Sequence, residues 1–224
     1  MLELTILIPA LNEEATIAIV IKKAKKWLKE NKVDGEVLII NNGSVDKTKE
    51  IAISQGARVV DCAQKGYGNA LIAGINAADG KYVIMGDADD SYNFLEIGEM
   101  YKKLKDGYDF VIGNRFHHIE KGAMKFLHRY IGTPLLSFMI RKKYDIKIND
   151  INCGLRGIRK EKFANLPFKS TGMEFASEMI IQARKLNYKM AEVPIHFYKD
   201  KRNKPSHLNT IRDGIRHVKV IFSL

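Results

Sequence analysis

Strand and helix signals alternate four times within the first 90 residues, and no other feature narrows the fold as much. Short apolar runs at residues 4–8, 36–40, 58–60 and 82–85 are too short for core helices, and Pro9, Gly80 and Gly86 punctuate them. Residues 15–28, 49–55 and 68–78 place apolar side chains at helical spacing between those runs. Apolar strands joined by helices need cover on both sides. This predicts an α/β fold with a doubly wound, mostly parallel central sheet and helices on both faces. Pro9 is expected to stop the first strand, and Asp46 to cap the second helix. The loops after strands one, two and four should gather at the carboxyl edge, where open α/β sheets bind ligands. Residues 9–13, 41–44 and 87–89 are expected to meet there.

Three carboxylates, Asp87, Asp89 and Asp90, follow the fourth strand directly. Two carboxylates one residue apart can face a hard divalent cation through oxygen, and such a cation would neutralise a diphosphate. The plainer reading is an acidic turn in which Asp90 or Ser91 caps the next helix. The loop after strand one, Pro9-Ala10-Leu11-Asn12-Glu13-Glu14, lacks the glycines that bring backbone to phosphate in dinucleotide and P-loop folds. A nucleotide bound here is gripped differently.

The net charge of +11 is divided unevenly: residues 1–114 carry −3 and residues 115–224 carry +14. A basic half of this kind attracts a polyanion, whether nucleic acid, an anionic membrane surface or a phosphorylated substrate. The length suits one domain, 1–224, with an acidic half and a basic half. The first strand begins within three residues of Met1, which leaves no room for a signal peptide, and no apolar run reaches the length of a membrane span. The expectation is a soluble, intracellular chain. Cys62 and Cys153 have no metal-ligand spacing and read as reduced, buried residues.

In the basic half, a fifth strand is expected at residues 109–112, ending in Gly113-Asn114-Arg115. Across residues 124–140, Met124, Leu127, Ile131, Leu135, Leu136 and Met139 recur at helical steps among Lys125 and Arg129. This is a core helix or a helix lying at a membrane interface, and Pro134 predicts a kink or two shorter helices. Residues 150–156 suggest a short strand, residues 172–186 a helix and residues 192–198 a strand. A last helix is expected at residues 209–222. Its apolar stripe, Ile211, Ile215, Val218 and Phe222, is flanked by Arg212, Arg216 and Lys219, which predicts weak binding to anionic membranes. Glu174 and Glu178 share a helix face, where salt bridges to basic residues would relieve their repulsion. The six histidines, His117, His118, His128, His196, His207 and His217, show no metal-binding spacing and read as surface or satisfied-core residues.

Ile8-Pro9-Ala10-Leu11-Asn12-Glu13, Asn42-Gly43-Ser44-Val45-Asp46-Lys47-Thr48 and Gly86-Asp87-Ala88-Asp89, in this order and at these separations, resemble the family 2 glycosyltransferases of GT-A fold. The resemblance implies a nucleotide pocket lined by Pro9, Ala10, Leu11, Asn12, Glu13, Asn41, Gly43, Ser44, Lys65, Asp87 and Ala88. It also implies Mg2+ or Mn2+ on Asp87 and Asp89. The family usually has Asp where this chain has Asn41, a position that contacts the nucleobase; an Asn carbonyl can accept the same base N–H. Gly113-Asn114-Arg115, residues 150–156, Thr171-Gly172-Met173-Glu174-Phe175, Glu192-Val193-Pro194-Ile195 and the run from Arg202 through Ser206 and Leu208 to Arg212-Asp213-Gly214 are similar to polyprenyl-phosphate glycosyltransferases of the dolichyl-phosphate mannose synthase type. That likeness covers nearly the whole chain. It implies that Arg115, Arg129 and Thr133 hold the lipid phosphate and that Arg202 closes over the donor diphosphate. The location implied is the inner face of the membrane, with the protein peripheral to it, and many relatives continue into transmembrane helices beyond the position of Leu224.

A phosphate monoester is already ionised near neutral pH, so as acceptor it attacks the anomeric carbon without a general base. The expected reaction is a metal-dependent, inverting transfer from a GDP- or UDP-sugar to polyprenyl phosphate. The arginine fork suits the acceptor because it can hold two phosphate oxygens at once. A sugar-1-phosphate nucleotidyltransferase would need a glycine-rich loop after strand one. A nucleic-acid module would use the basic half, with Tyr92, Tyr130, Tyr144 and Tyr198 to stack bases, but the three acids at the ligand edge repel a phosphate backbone. No nucleic-acid partner is expected, and a family 2 enzyme with a soluble or polysaccharide acceptor is the alternative.

Overall fold

The computed structural model describes residues 2–164, 166–202 and 210–224. Its strands are β1 (Leu2–Ala10), β2 (Gly35–Asn41), β3 (Arg58–Asp61), β4 (Gly80–Met85), β5 (Phe110–Ile119), β6 (Arg156–Arg159) and β7 (Met190–Phe197). Its helices are α1 (Ile17–Glu30), α2 (Thr48–Ser54), α3 (Tyr67–Ala77), α4 (Gly98–Lys105), α5 (Thr133–Tyr144), α6 (Lys160–Phe163), α7 (Phe175–Lys185) and α8 (Thr210–Ser223). Among the described residues one sheet runs β3-β2-β1-β4-β6-β5-β7. Every neighbouring pair is parallel except those of β6, which is antiparallel to β4 and β5.

Leu4, Ile6, Leu7 and Ile8 of β1 are fully buried, as a strand covered on both faces must be. Trp27 of α1 meets Tyr101 of α4 edge-on at 5.4 Å on one side of the sheet. On the other side α3 lies so close that a Cβ on Gly74 would come within 2.3 Å of Leu7. The expected mostly parallel, doubly wound α/β sheet is the one observed, and β2, β1 and β4 stand side by side.

Pro9 does not stop β1, because the strand runs on to Ala10, with Pro9 in register with Ile40. Leu7 accepts a bond from Gly86 where β4 ends, and Pro9, two residues on, turns its nitrogen to that same, now vacated, side. No ladder donor is lost there. Nor does β5 stop at Ile112: Gly113, Asn114 and Arg115 lie inside it. A Cβ on Gly113 would sit 2.7 Å from Ile195 and 2.9 Å from Cys153, so the close approach of neighbouring chain requires a glycine. Residues 150–155 form a turn rather than a strand, and β6 begins at Arg156. Their alternating Ile151, Cys153 and Leu155 are buried, but in a loop that wraps the end of the sheet. Ahead of α5, a π-helical turn at His128–Gly132 absorbs the missing amide of Pro134 and joins two helical pieces. Expectations for Ser206, His207, Leu208 and Asn209 fall outside the described residues. No helix among the described residues is long and apolar enough to cross a membrane.

Candidate active site

The loops after β1 and β2 are laced together by side chains acting as surrogate backbone. Asn12, in the left-handed region at φ 57°, donates its N–H to Ser44 Oγ at 3.0 Å, while its Oδ1 accepts the Val45 N–H at 2.8 Å. The Glu13 N–H reaches Thr48 Oγ1 at 2.7 Å. The N-cap of α2 is Lys47, whose side chain makes no capping bond, and not Asp46 as expected; Asp46, one residue earlier, accepts the Thr48 N–H at 3.0 Å. Gly43, at φ 88°, occupies a conformation that strains any residue with a side chain, and Lys65 passes just above it. Asn42 fastens the next loop, taking the Gly66 N–H at 2.8 Å and donating to Gln64 O at 2.8 Å.

The acidic turn completes the edge. Asp89 Oδ1 accepts both the N–H and the hydroxyl of Ser91, at 3.0 and 2.6 Å. Asp87 Oδ1 accepts the Tyr67 hydroxyl at 3.1 Å. Asp90 caps no helix. It sits at φ 62° with 1% exposure and receives Lys23 at 2.7 Å and Lys201 at 2.6 Å. The following one-turn helix is capped by Asn93 instead. Backbone bonds from Tyr198 to Ser91 O and from Lys201 to Asp89 O, each 3.0 Å, lay residues 198–202 along the acidic turn.

That strap delivers Arg202 into the centre of the acids. Its guanidinium lies 2.9 Å from Asp89 and 3.4 Å from Glu13. One cation does not neutralise this cluster. Burial, with Asp89 adding its charge, pushes Glu13 up to about 7 and Asp87 up to about 6. Arg202 Nε is buried without a hydrogen-bond partner among the described residues. Between pH ~4.5 and ~7 the folded chain holds a Glu13 proton that the unfolded chain has released, so this group makes stability fall as pH rises. We expect Glu13→Gln to remove that slope, on the order of 2 kcal/mol, in urea unfolding followed at pH 5 and pH 8. Parallel curves for the two proteins would contradict it.

Arg115 is placed differently from the expectation for a phosphate clamp. Its Nε and Nη2 each lie 2.7 Å from Asp150, which is fully buried, and its backbone N–H reaches the same carboxylate at 3.1 Å. Phe197 covers the guanidinium, its ring centroid 5.2 Å away. The fork expected to hold two phosphate oxygens is occupied by Asp150. Thr133 is buried and takes a long bond, 3.5 Å, from Asn152 of the same loop. Arg129 is half-buried over the Tyr130 ring and has no carboxylate partner among the described residues. Thus the loop of residues 150–155 joins Arg115 and Thr133, while Arg129 pairs with no acid among the described residues.

Asn41 is buried and committed. Its Oδ1 accepts the Ser44 N–H at 3.1 Å and its Nδ2 donates to Asp61 at 2.8 Å. Glu174, at the N-cap of α7, and Glu178, within that helix, are relieved in different ways. Glu178 accepts backbone N–H bonds from Lys169 and Ser170 instead of pairing with a basic side chain, whereas Glu174 lies 3.9 Å from Arg216. Cys153 is buried and Cys62 half-buried, both free. His217 is buried against Ser177 at 2.7 Å, and His128 bonds Thr210 at 2.8 Å. His196 pairs with Glu96 at 2.9 Å.

Tyr67, Lys23 and Lys201 support the site, yet no motif singles them out, and Tyr92 and Gly154 support it in a role their sequence context does not announce. Tyr92 accepts the Gly154 N–H at 2.8 Å, and a Cβ on Gly154 would lie 2.8 Å from Asp87, so the loop carrying Asp150 presses on the acid pair. Among the described residues no three His, Cys, Asp or Glu side chains form a metal cage. The hard oxygens of Asp87 and Asp89, in a crowded acidic cluster, nevertheless suit a divalent cation.

The family model "Glycosyl transferase family 2" matches residues 5–166. The chain is 35% identical over 218 residues to the low-salt glycan biosynthesis hexosyltransferase Agl6 of Haloferax volcanii, covering 96% of this chain and 52% of that protein. It thus spans about half the length of that relative. It is 31% identical over 199 residues to the dolichyl-phosphate hexose transferase of the same organism, covering 87% of this chain and 82% of that protein. The crystal structure of glucosyl-3-phosphoglycerate synthase from Mycobacterium tuberculosis with Mn2+, UDP and glucosyl-3-phosphoglycerate superposes with a TM-score of 0.78 at 24% identity. It covers 99% of this chain and 79% of that one, a likeness of fold.

Proposed function

The chain belongs to glycosyltransferase family 2 and is a glycosyltransferase of GT-A-like fold, and from that premise we propose that it transfers a sugar from a GDP- or UDP-sugar to a polyprenyl phosphate at the cytoplasmic face of a membrane. The observation that supports a lipid acceptor is the setting of Arg129. This arginine has no carboxylate partner among the described residues and stands in a band of exposed apolar side chains that includes Phe126, Leu127, Tyr130, Ile131, Leu135 and Phe138. A cation in such a band matches an anion carried on an apolar tail. Helix α8 lies beside it: Lys143 and Tyr144 of α5 bond Ile221 O at 2.6 and 2.7 Å. The α8 stripe of Ile211, Ile215, Val218 and Phe222 faces outward, while Asp213 and His217 face in. The relative named dolichyl-phosphate hexose transferase supports the same acceptor class.

In this reading Asp87 and Asp89 would hold Mg2+ or Mn2+, which when bound would supply charge to stabilise the departing diphosphate. Arg202 exchanges its carboxylate partners for diphosphate oxygens, and the loops bearing residues 9–13 and 41–44, with Lys65, enclose the nucleotide. Arg129 and Thr133 orient the acceptor phosphate, and Asp150 holds the Arg115 charge beside them. The phosphate oxygen forms its bond to the anomeric carbon as the bond to the diphosphate breaks, the leaving group taking the electron pair. Attack opposite the leaving group inverts that carbon. The acceptor brings its own negative charge, so no general base is required.

Incubation with a panel of nucleotide sugars, Mg2+ and a short polyprenyl phosphate should yield one lipid-linked phosphosugar. Arg129→Ala should lower kcat/KM for the lipid phosphate roughly 30-fold, the equivalent of about 2 kcal/mol for a lost charge-assisted contact, with unchanged nucleotide affinity. Transfer only to acceptors without a lipid tail would overturn the proposal. Co-sedimentation with anionic vesicles should fall as salt rises and should weaken on Phe222→Ser, since exposed basic and apolar groups share the binding. Equal binding by the variant would place the membrane contact elsewhere.

A further inference from the structure

One row of residues ends the first three strands at the edge where residues 9–13 and 41–44 meet. Ala10, Asn41 and Asp61 are register partners across β1, β2 and β3, so their side chains leave the sheet edge on the same face. Within this row Asn41 donates outward to Asp61, which stands on the edge strand β3. Asn41 has used its carbonyl on the Ser44 N–H and one amide hydrogen on Asp61 Oδ1. Asp61 keeps 58% of its side chain exposed, with Lys49 at 2.6 Å from Oδ2. Those two partners hold its carboxyl below the usual carboxylate range. Each carboxylate oxygen accepts more than one hydrogen bond, so an ionised, pre-oriented acceptor remains open at the rim. The Cys62 N–H bonds Asn41 O at 2.9 Å, and Asn42 grips Gln64 and Gly66, which fixes the wall beside it.

We infer, on the basis of the nucleotide-sugar reading above, that Asp61 is the specificity-determining residue for the base and Asn41 its positioning residue. Asp61 accepts the ring N–H on the pairing edge, N3–H of uracil or N1–H of guanine. Cytosine and adenine present a lone pair at the matching ring nitrogen, which a carboxylate repels. The base is therefore chosen by the polarity of one ring nitrogen, and Asn41 acts by aiming the carboxylate.

Calorimetric titration with Mg2+ and two matched pairs, UDP against CDP and GDP against ADP, tests this. Wild-type protein should favour the N–H member of the better-binding pair by about tenfold or more, since unlike polar edges leave a site group unpaired. Asp61→Asn offers an amide that can donate as well as accept, and should bring that ratio close to one. Asn41→Ala should reduce the ratio severalfold, with the affinity lost for the N–H member several times that lost for its counterpart, whereas a merely structural role would weaken both alike. Circular dichroism verifies the fold, and Asp61→Ser provides a second exposed variant. An unchanged ratio in Asp61→Asn and Asp61→Ser overturns the inference while leaving the donor reading intact. Wild-type protein that binds none of the four nucleotides overturns both.

Discussion

Asp89→Ala will lower kcat/KM for sugar transfer by about a thousandfold, the scale on which a charge-stabilising group in a transition state acts. The chain will remain folded. Asp89 binds Arg202 through one oxygen and the Ser91 turn through the other, so the substitution removes a few bonds at the buried rim of the site, while Arg202 keeps Glu13 as a partner. Against that loss, it relieves repulsion among three crowded carboxylates, of which burial has already pushed Glu13 up to about 7 and Asp87 up to about 6. These effects oppose each other, and urea unfolding should differ from wild type by no more than about 1 kcal/mol. Wild-type turnover that persists in excess chelator would contradict the metal role from which the prediction follows.

Arg115→Ala will cost about 3 to 5 kcal/mol of stability, the penalty for leaving a buried charge without its partner. Asp150 is fully buried and takes three bonds from Arg115, two from the guanidinium and one from the backbone. Removing the side chain strands the carboxylate beneath the loop that also holds Asn152 and Gly154. The joint replacement Arg115→Met with Asp150→Leu should recover most of that stability, because neither desolvated charge remains. Urea unfolding of the two proteins measures this directly. A single variant as stable as wild type would show that Asp150 finds another cation or water, and that Arg115 is free for the acceptor.

The first half of the chain announces its fold because its signals are local. Apolar runs of strand length alternate with helical spacing, and one topology places residues 9–13, 41–44 and 87–89 at a common edge, where Asn12, Ser44, Val45, Glu13 and Thr48 do bond one another. What sequence hides is pairing over distance. Asp90 resembles a helix cap until Lys23, 67 residues before it, and Lys201, 111 residues after it, are seen to share it. The place of Pro9 inside β1 depends on where a different strand, β4, ends. Residues 151–155 alternate in polarity like a strand because they bury every second side chain, yet they do so as a turn around the Arg115 ion pair. In α8 the spacing reveals an apolar stripe but not which face turns inward. The inward face is set by His217 meeting Ser177 at 2.7 Å.

The acceptor is decided most directly by one competition. A short polyprenyl phosphate and 3-phosphoglycerate, at equal concentration and with the preferred nucleotide sugar and Mg2+, would be offered together, and both products quantified by mass spectrometry. The arrangement of Arg129 within exposed apolar side chains predicts that the sugar appears almost wholly on the lipid phosphate, and that Arg129→Ala erases this preference. A glycosylated 3-phosphoglycerate as the main product, insensitive to Arg129, would contradict the lipid-acceptor account.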